Sequence, residues 1–170
     1  AAALRHVFLS ERAAARPPEL GGVTPRDVRC AAVVGGGTMG AGIAAALRDA
    51  GLPVILVERD EAAVERGLVN ISRIFDGFVK RGRILPEVAA ERMAGVTGTD
   101  DYGVLADADL VIEAVFEDLA VKRAVFSRLE MVCRADAVLA TNTSYLDPEE
   151  IGADILGPDR FLGLHFFSPA

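Results

Sequence analysis

The sequence has no tryptophan and only two cysteines and two histidines among its 170 residues. Cys30 and Cys133 are too few for a disulfide framework and form no CxxC pair, so both are predicted to be buried free thiols. His6 and His165 do not suffice for a histidine-rich metal site, and we expect no bound metal. No apolar run approaches the ~18 residues of a membrane-spanning helix, and the first residues lack a signal-peptide layout. We therefore expect no membrane span and a cytosolic or organelle-lumen protein.

Basic residues are also fewer than acidic ones. Lysine and arginine number 18 against 25 acidic residues, which gives a formal net charge of −7. A nucleic-acid partner would call for a basic face, so no nucleic-acid binding is expected. The 51% hydrophobic and 25% charged fractions are those of a folded globular protein, and the length favours one sizeable core.

Strand-like and helix-like segments alternate along most of the chain. Residues 1–27 are predicted to form a linker helix and a connector rich in proline and glycine, and residues 28–170 one domain. The predicted strands are Val28–Val34, Val54–Glu58, Val96–Thr99, Leu110–Ala114, Val138–Thr141 and Phe161–Phe166. The predicted helices are Met39–Ala50, Glu61–Arg81, Pro86–Met93, Leu119–Val132 and Pro148–Ile155. This alternation predicts an α/β fold of the Rossmann type: a doubly wound, mainly parallel sheet with helices on both faces.

A glycine-rich turn follows the first predicted strand of this domain. Gly35, Gly37 and Gly40 have the G-x-G-x-x-G spacing, and a helix is predicted directly after them. Gly35 would make the tight turn, Gly37 would let the backbone approach a pyrophosphate, and Gly40 would let helix and strand pack closely. An acidic residue, Glu58, ends the next strand. Its carboxylate would accept hydrogen bonds from the hydroxyl groups of a ribose and would repel a 2′-phosphate. This favours NAD over NADP, although the neighbouring Arg59 could accept a 2′-phosphate.

Three later segments place polar residues at carboxyl ends of strands, beside the ligand crevice of such sheets. The first runs from Glu113 to Asp118, with Lys122 in the next helix. Helix-face charge pairing or simple N-terminal capping by Glu117 and Asp118 is the alternative for this segment. The second is the run 141–144, whose polar residues could also be simple caps. The third brings His165 near the end of the last strand, where a lone histidine could be a satisfied core residue. Its position beside Ser144 favours a catalytic role.

Together these motifs resemble the NAD-binding domain of the L-3-hydroxyacyl-CoA dehydrogenase family of fatty-acid β-oxidation, over roughly residues 28–170. The resemblance implies NAD as cofactor and oxidation of a 3-hydroxyacyl-CoA. It implies catalytic roles for His165 as the base, Ser144 as a hydroxyl contacting substrate and nicotinamide, and Glu117 in holding the site's geometry. The predicted cofactor-binding residues are Gly35, Gly37, Thr38, Met39, Gly40, Glu58, Arg59, Ala114, Val115, Phe116, Glu117, Lys122, Asn142, Ser144 and Ser168.

The resemblance extends to enzymes in which a hydratase/isomerase precedes the dehydrogenase. Ser168 stands where many members have asparagine, and Tyr145 where a small hydroxyl residue is usual, and the helix at residues 1–16 is similar to the linker of such multifunctional enzymes. We expect a piece of a longer, oligomeric protein, without the helical C-terminal domain that closes the acyl-CoA site. The piece would bind NAD and turn over its substrate poorly or not at all. The expected location is the cytoplasm of a bacterium, or the mitochondrial or peroxisomal lumen of a eukaryote.

Two rival interpretations remain at this point. Another Rossmann dehydrogenase would share residues 35–58 but not the later motifs. A non-enzymatic member, either an NAD-binding module or a structural protein such as a lens crystallin, would share the fold without the activity. A basic group at the end of the long helix, Lys80, Arg81 and Arg83, is either a coenzyme A contact or a solvated helix end.

Overall fold

A six-stranded sheet in which every neighbouring pair of strands is parallel forms the centre of the chain. The computed structural model describes residues 2–14, 17 and 20–167. The strands are β1 Ala31–Val34, β2 Val54–Val57, β3 Val96–Thr99, β4 Leu110–Glu113, β5 Val138–Thr141 and β6 Phe161–Gly163. The helices are α1 Ala2–Ala14, α2 Thr38–Asp49, α3 Glu61–Lys80, α4 Pro86–Ala94, α5 Leu119–Val132 and α6 Pro148–Ile151. Short 3₁₀ helices cover Tyr102–Asp107 and Pro158–Arg160.

The strand order β3-β2-β1-β4-β5-β6 confirms the predicted doubly wound fold. The order reverses between β1 and β4, because the chain winds outward from β1 in one direction and from β4 in the other. At such a switch point the loops leaving the two strands diverge and open a crevice beyond their carboxyl ends. The fold therefore places a ligand site above the ends of β1 and β4.

Successive strand side chains point to opposite faces of the sheet, and each face carries its own core. Val33, Leu56 and Ile112 pack with buried residues of α2 and α3. On the other face, Val34 and Val111 pack with Val125, Phe126 and Leu129 of α5. Helices cover both faces, which explains why the strands read as continuous apolar runs.

Three predicted boundaries were wrong by at least three residues, for identifiable reasons. The first strand begins at Ala31 rather than Val28, because the N–H groups of residues 29 and 30 donate to the Asp109 side chain. The last strand ends at Gly163 rather than Phe166, since the N–H of Phe166 donates to the side chain of Asn142. The helix predicted over residues 148–155 ends at Ile151, with Gly152 as its C-cap.

Helix α1 has no buried residue, so it makes no part of the sheet's core. Its role as a linker, and the predicted boundary after residue 27, stay predictions. Residues 15, 16, 18 and 19, between this helix and the predicted connector, lie outside the described residues. No helix of the described ranges is long and apolar enough to cross a membrane.

The two thiols differ in burial, which corrects one prediction. Cys133 is buried, as predicted, whereas Cys30 is only half-buried. Burial raises the pKa of both thiols, and for Cys30 the nearby carboxylate of Asp109 raises it further. A raised pKa keeps a thiol protonated and unreactive near neutral pH.

Asp109 ties the start of β1 to the start of β4. Its Oδ2 accepts hydrogen bonds from the N–H groups of Arg29 and Cys30 at 2.7 and 2.8 Å, and its Oδ1 pairs with Arg134. The hydrogen bond from Arg134, followed by those two backbone bonds, lowers the pKa of Asp109 to about 2. A carboxylate with a depressed pKa in the folded state stabilises the fold above its unfolded pKa of about 3.9.

We therefore expect Asp109→Asn to be less stable than the wild type at pH 7. The difference should shrink as the pH falls from about 4 to about 2, because the wild-type carboxylate then becomes protonated. Urea unfolding at several pH values between 2 and 7 measures it. Asp136→Asn is the matched control, since Asp136 also pairs with Arg134 but is exposed. A pH-independent difference for Asp109→Asn would contradict the assignment.

Candidate functional site

A cleft of about 850 Å³ opens at the carboxyl ends of the central strands. This volume lies within the range of small-molecule and cofactor sites, roughly 300–1,000 Å³. The predicted cofactor residues that line it are Gly35, Gly37, Thr38, Met39, Glu58, Arg59, Ala114, Val115, Phe116, Glu117, Asn142 and Ser144. Gly40 and Lys122 lie behind the lining, and Ser168 lies outside the described residues.

The glycine loop packs as its spacing predicts. Gly35 has a φ of +102°, a conformation that side chains rarely adopt, and a Cβ there would lie 2.7 Å from the carbonyl oxygen of Ala114. A Cβ at Gly40 would lie 1.7 Å from the carbonyl oxygen of Gly35, so the close packing of α2 on this loop requires glycine.

Gly37 has a different surrounding. It is the N-cap of α2, has no side-chain cap, and a Cβ on it would meet no atom within 4 Å. The first backbone N–H groups of a helix lack intrahelical partners and bind anions, phosphates above all. The loop thus leaves an open, donor-rich space for a pyrophosphate.

Gly37→Ala should fold with unchanged stability and bind NAD at least about tenfold more weakly, a loss of about 1.4 kcal/mol of binding free energy. The new methyl group meets no protein atom, but it enters the space where a pyrophosphate would approach the backbone. Thermal unfolding and a fluorescence titration with NADH measure the two properties. NADH affinity within twofold of the wild type would contradict this use of the loop.

Glu58 lies just beyond β2, with its carboxylate against the glycine loop. Its Oε1 accepts a hydrogen bond from the N–H of Gly36 at 2.8 Å, and its Oε2 accepts one from the N–H of Arg59 at 3.1 Å. The guanidinium of Arg59 forms an ion pair with Asp60 at 3.0 Å. The carboxylate of Glu58 is therefore fixed at the cleft, while the positive charge of Arg59 is partly balanced by Asp60.

Three charged side chains meet behind the loop that follows β4. The ammonium of Lys122 lies 2.8 Å from Oε1 of Glu113 and 3.2 Å from Oε2 of Glu117. The side chains of Lys122 and Glu113 are fully buried, whereas that of Glu117 is 32% exposed. Asp118 caps α5 by accepting from the N–H of Val121, so the capping alternative holds for Asp118 only.

Glu117 connects this charged group to the loop after β5. Its Oε1 accepts hydrogen bonds from the hydroxyl of Thr143 and from the N–H groups of Ser144 and Tyr145. Burial alone would raise the pKa of Glu117, but the bonds from Thr143, Ser144, Tyr145 and Lys122 outweigh it and lower this pKa to about 2. Glu117 is thus a carboxylate at physiological pH, and its charge holds the loop in place.

Ser144 and His165 come together at the mouth of the cleft. The Oγ of Ser144 lies 3.0 Å from Nε2 of His165, and both residues are exposed. The segment carrying His165 is fixed by two bonds, from the N–H of Leu164 to the carbonyl of Thr141 and from the N–H of Phe166 to Oδ1 of Asn142. A hydroxyl and an imidazole at hydrogen-bond distance can exchange a proton with a bound substrate.

Several residues of the site were not predicted from the sequence. Arg128 lies over the ring of Tyr102, 4.0 Å from its centroid, and both line the cleft with Val121 and Val125. The helical spacing of residues 121, 125 and 128 could have placed them on one face of α5. Tyr102 gave no such signal, because it lies in an irregular 3₁₀ segment. Two further roles were missed: Glu113 is the buried partner of Lys122, and the hydroxyl of Thr141 donates to Glu113.

The residues present fit a dinucleotide. The open helix N-terminus at Gly37 suits a pyrophosphate, Glu58 suits a ribose hydroxyl, and the cleft extends from these residues to Ser144. The observation behind this fit is the open space at the glycine loop, where a Cβ at residue 37 would meet no protein atom.

Comparison with known proteins agrees with this geometry. Residues 30–170 match the family model described as 3-hydroxyacyl-CoA dehydrogenase, NAD binding domain. A peroxisomal fatty acid beta-oxidation multifunctional protein of Arabidopsis thaliana is 40% identical over 169 residues, which are 98% of this chain and 23% of that protein. A 3-hydroxybutyryl-CoA dehydrogenase of Clostridioides difficile is 38% identical over 138 residues, 81% of this chain and 49% of that protein.

Solved structures show the same relationship. A 3-hydroxybutyryl-CoA dehydrogenase of Escherichia coli superposes with a TM-score of 0.80 at 40% sequence identity, covering 85% of this chain and 31% of that one. The chain thus spans about a quarter of the length of the multifunctional relatives it matches and up to half of the shorter ones. The matches confirm the predicted family, fold and cofactor.

Proposed function

Because the chain belongs to the 3-hydroxyacyl-CoA dehydrogenase family, whose NAD-binding domain it matches, we propose that it holds NAD for the oxidation of a 3-hydroxyacyl-CoA. The observation that carries the proposal is the hydrogen-bonded pair of Ser144 and His165 at the mouth of the cleft. The contact supports a role for His165 as the base, because its partner Ser144 lines the same cleft as the glycine loop. The proposed activity is that of the protein in which this domain occurs.

The residues divide the work between binding and proton transfer. His165 takes the proton of the substrate's 3-hydroxyl group, since an imidazole can accept a proton near neutral pH. Ser144 orients that hydroxyl through its own Oγ, which lies 3.0 Å from the imidazole. NAD, when bound, supplies the acceptor for the hydride that leaves C3. The first turn of α2 and Glu58 hold the pyrophosphate and the adenosine ribose.

Asn142 and Lys122 support the site without taking part in proton transfer. Asn142 lines the cleft and holds the backbone beside His165, so it contacts the cofactor's space and the base's segment at once. Lys122 is buried between two carboxylates and acts through Glu117 rather than on the cofactor. The exposed cluster Lys80, Arg81 and Arg83 suits the negative charges of coenzyme A. Arg81 and Arg83 also lie over the ring of Phe78, at 5.4 and 5.9 Å.

The cofactor preference gives a direct test. We expect NAD to bind at least about tenfold more tightly than NADP, because the carboxylate of Glu58 would lie beside the added phosphate. Glu58→Gln keeps an acceptor for the N–H of Gly36 and removes the charge. It should therefore lower the ratio of NADP to NAD dissociation constants severalfold. Glu61→Gln, an exposed acid in the first turn of α3, is the matched control for charge. Tighter binding of NADP by the wild type would overturn the assignment.

The non-enzymatic alternative predicts a different result. A structural or NAD-sensing member would bind NADH yet show no oxidation of NADH with acetoacetyl-CoA. The active member that we propose shows this oxidation. Its location would be the cytoplasm of a bacterium or the peroxisomal or mitochondrial lumen of a eukaryote, and its partners would be the acyl-CoA substrate and further copies of itself.

A further inference from the structure

Glu113 is a fully buried carboxylate that neither the reaction nor cofactor binding uses. It is the last residue of β4, and three donors meet its two oxygens. Lys122 Nζ and the N–H of Val115 each lie 2.8 Å from Oε1, and the hydroxyl of Thr141 lies 2.7 Å from Oε2. Its side chain is 0% exposed. A buried charge with this many partners fixes the positions of the groups that donate to it.

Two sets of contacts lead from Glu113 to the Ser144–His165 pair. The first passes through Lys122 to Glu117, whose Oε1 accepts from the N–H groups of Ser144 and Tyr145 at 2.8 and 3.2 Å. The second passes through Thr141, whose carbonyl accepts from the N–H of Leu164 at 2.9 Å, one residue before His165. One set thus holds the serine and the other holds the histidine segment.

We propose that Glu113 is a positioning residue that keeps Ser144 and His165 at hydrogen-bond distance by anchoring Lys122 on one side and Thr141 on the other. This role rests on the proposed function, because the pair it positions is the proposed proton-transfer pair. The alternative is an ion pair that supports only folding. Replacing a buried ion pair by neutral residues of similar shape is often neutral for stability, so stability by itself does not explain the charges.

The two roles differ in what they predict for local backbone motion. If Glu113 only supports the fold, removing its ion pair should speed amide exchange by a similar factor throughout the chain. If it positions the pair, the amides of Ser144, Tyr145 and Leu164 should open more easily than the core strands. Native-state amide hydrogen exchange measures such local opening, residue by residue, without cofactor or substrate.

The experiment uses the 170-residue chain with the double substitution Glu113→Gln and Lys122→Met, which removes both charges and leaves neither ion unpaired. We expect the amides of Ser144 and Tyr145 to exchange at least about tenfold faster, relative to those of Ile112 and Leu139 in the core strands. Leu164 should follow in the same direction. Glu130→Gln is the matched control, since it breaks the partly buried Glu130–Arg160 pair that also involves α5. It should leave these ratios unchanged.

Ratios within twofold of the wild type in the double variant would overturn the proposal, as would equal acceleration in Glu130→Gln. Should the double variant fail to fold, Thr141→Val tests the proposal instead, because it removes one donor to Glu113 and keeps the ion pair of Glu113 with Lys122. The Leu164 amide should then exchange severalfold faster relative to the core, and no change would overturn the proposal. Since no step needs NAD or substrate, a failure of the proposed dehydrogenase function would show in other assays and leave this result readable.

Discussion

Lys122→Met lowers the free energy of unfolding by roughly 3–5 kcal/mol, the usual effect of removing one partner from a buried ion pair. The substitution keeps the length of the side chain but leaves Glu113 as a fully buried carboxylate without its cation. The two remaining donors, Val115 N–H and the Thr141 hydroxyl, do not supply a positive charge. A domain of this size is stable by about 5–15 kcal/mol, so the loss is a large fraction of the total. Urea unfolding at pH 7 measures it.

The double variant with Glu113→Gln provides the internal comparison. It should regain more than half of the lost stability, because no unpaired charge is then left inside the protein. Lys80→Met removes a lysine from the exposed end of α3 and should change the stability by less than about 0.5 kcal/mol. A loss below about 1 kcal/mol for Lys122→Met would contradict this account of the buried pair.

Local sequence rules were sufficient for the cofactor half of the site. The glycine spacing, the apolar strand before it and Glu58 after it all belong to one strand–helix–strand unit, whose spacing is visible in the sequence itself. Gly35 and Gly40 accordingly have the turn and the tight packing that were predicted from spacing. The doubly wound, mainly parallel sheet also followed, because alternating strands and helices leave few allowed topologies.

The catalytic half depended on contacts that spacing does not encode. Leu164 and Phe166 have the apolar alternation of a strand, yet Phe166 bonds to the side chain of Asn142 instead of a neighbouring strand. Glu113 was part of a recognised motif, but its bond to Thr141 depends on the register that pairs these two residues across β4 and β5. Such partners lie some 28 residues apart in sequence, and only the folded sheet brings them together.

His165→Gln should lower the rate of acetoacetyl-CoA reduction by NADH about 10²–10⁴-fold in the protein at its full length, the usual contribution of a positioned general acid or base. Glutamine can still hydrogen-bond to Ser144, but it neither gives nor takes a proton near neutral pH. The affinity for NADH should stay within about twofold, because His165 is not among the residues that line the nucleotide cleft. Stopped-flow or steady-state NADH absorbance and a fluorescence titration measure the two quantities.

The chain supplies its own control for this substitution. His6→Gln makes the same chemical change on helix α1, which has no buried residue, and should alter neither rate nor affinity. Ser144→Ala should lower the rate as well, but by less than His165→Gln, since it removes an orienting hydroxyl and leaves the base in place. If His165→Gln retained more than about a tenth of the wild-type rate, the imidazole would not be the base, and the Ser144–His165 contact would serve only to hold the segment that follows β6.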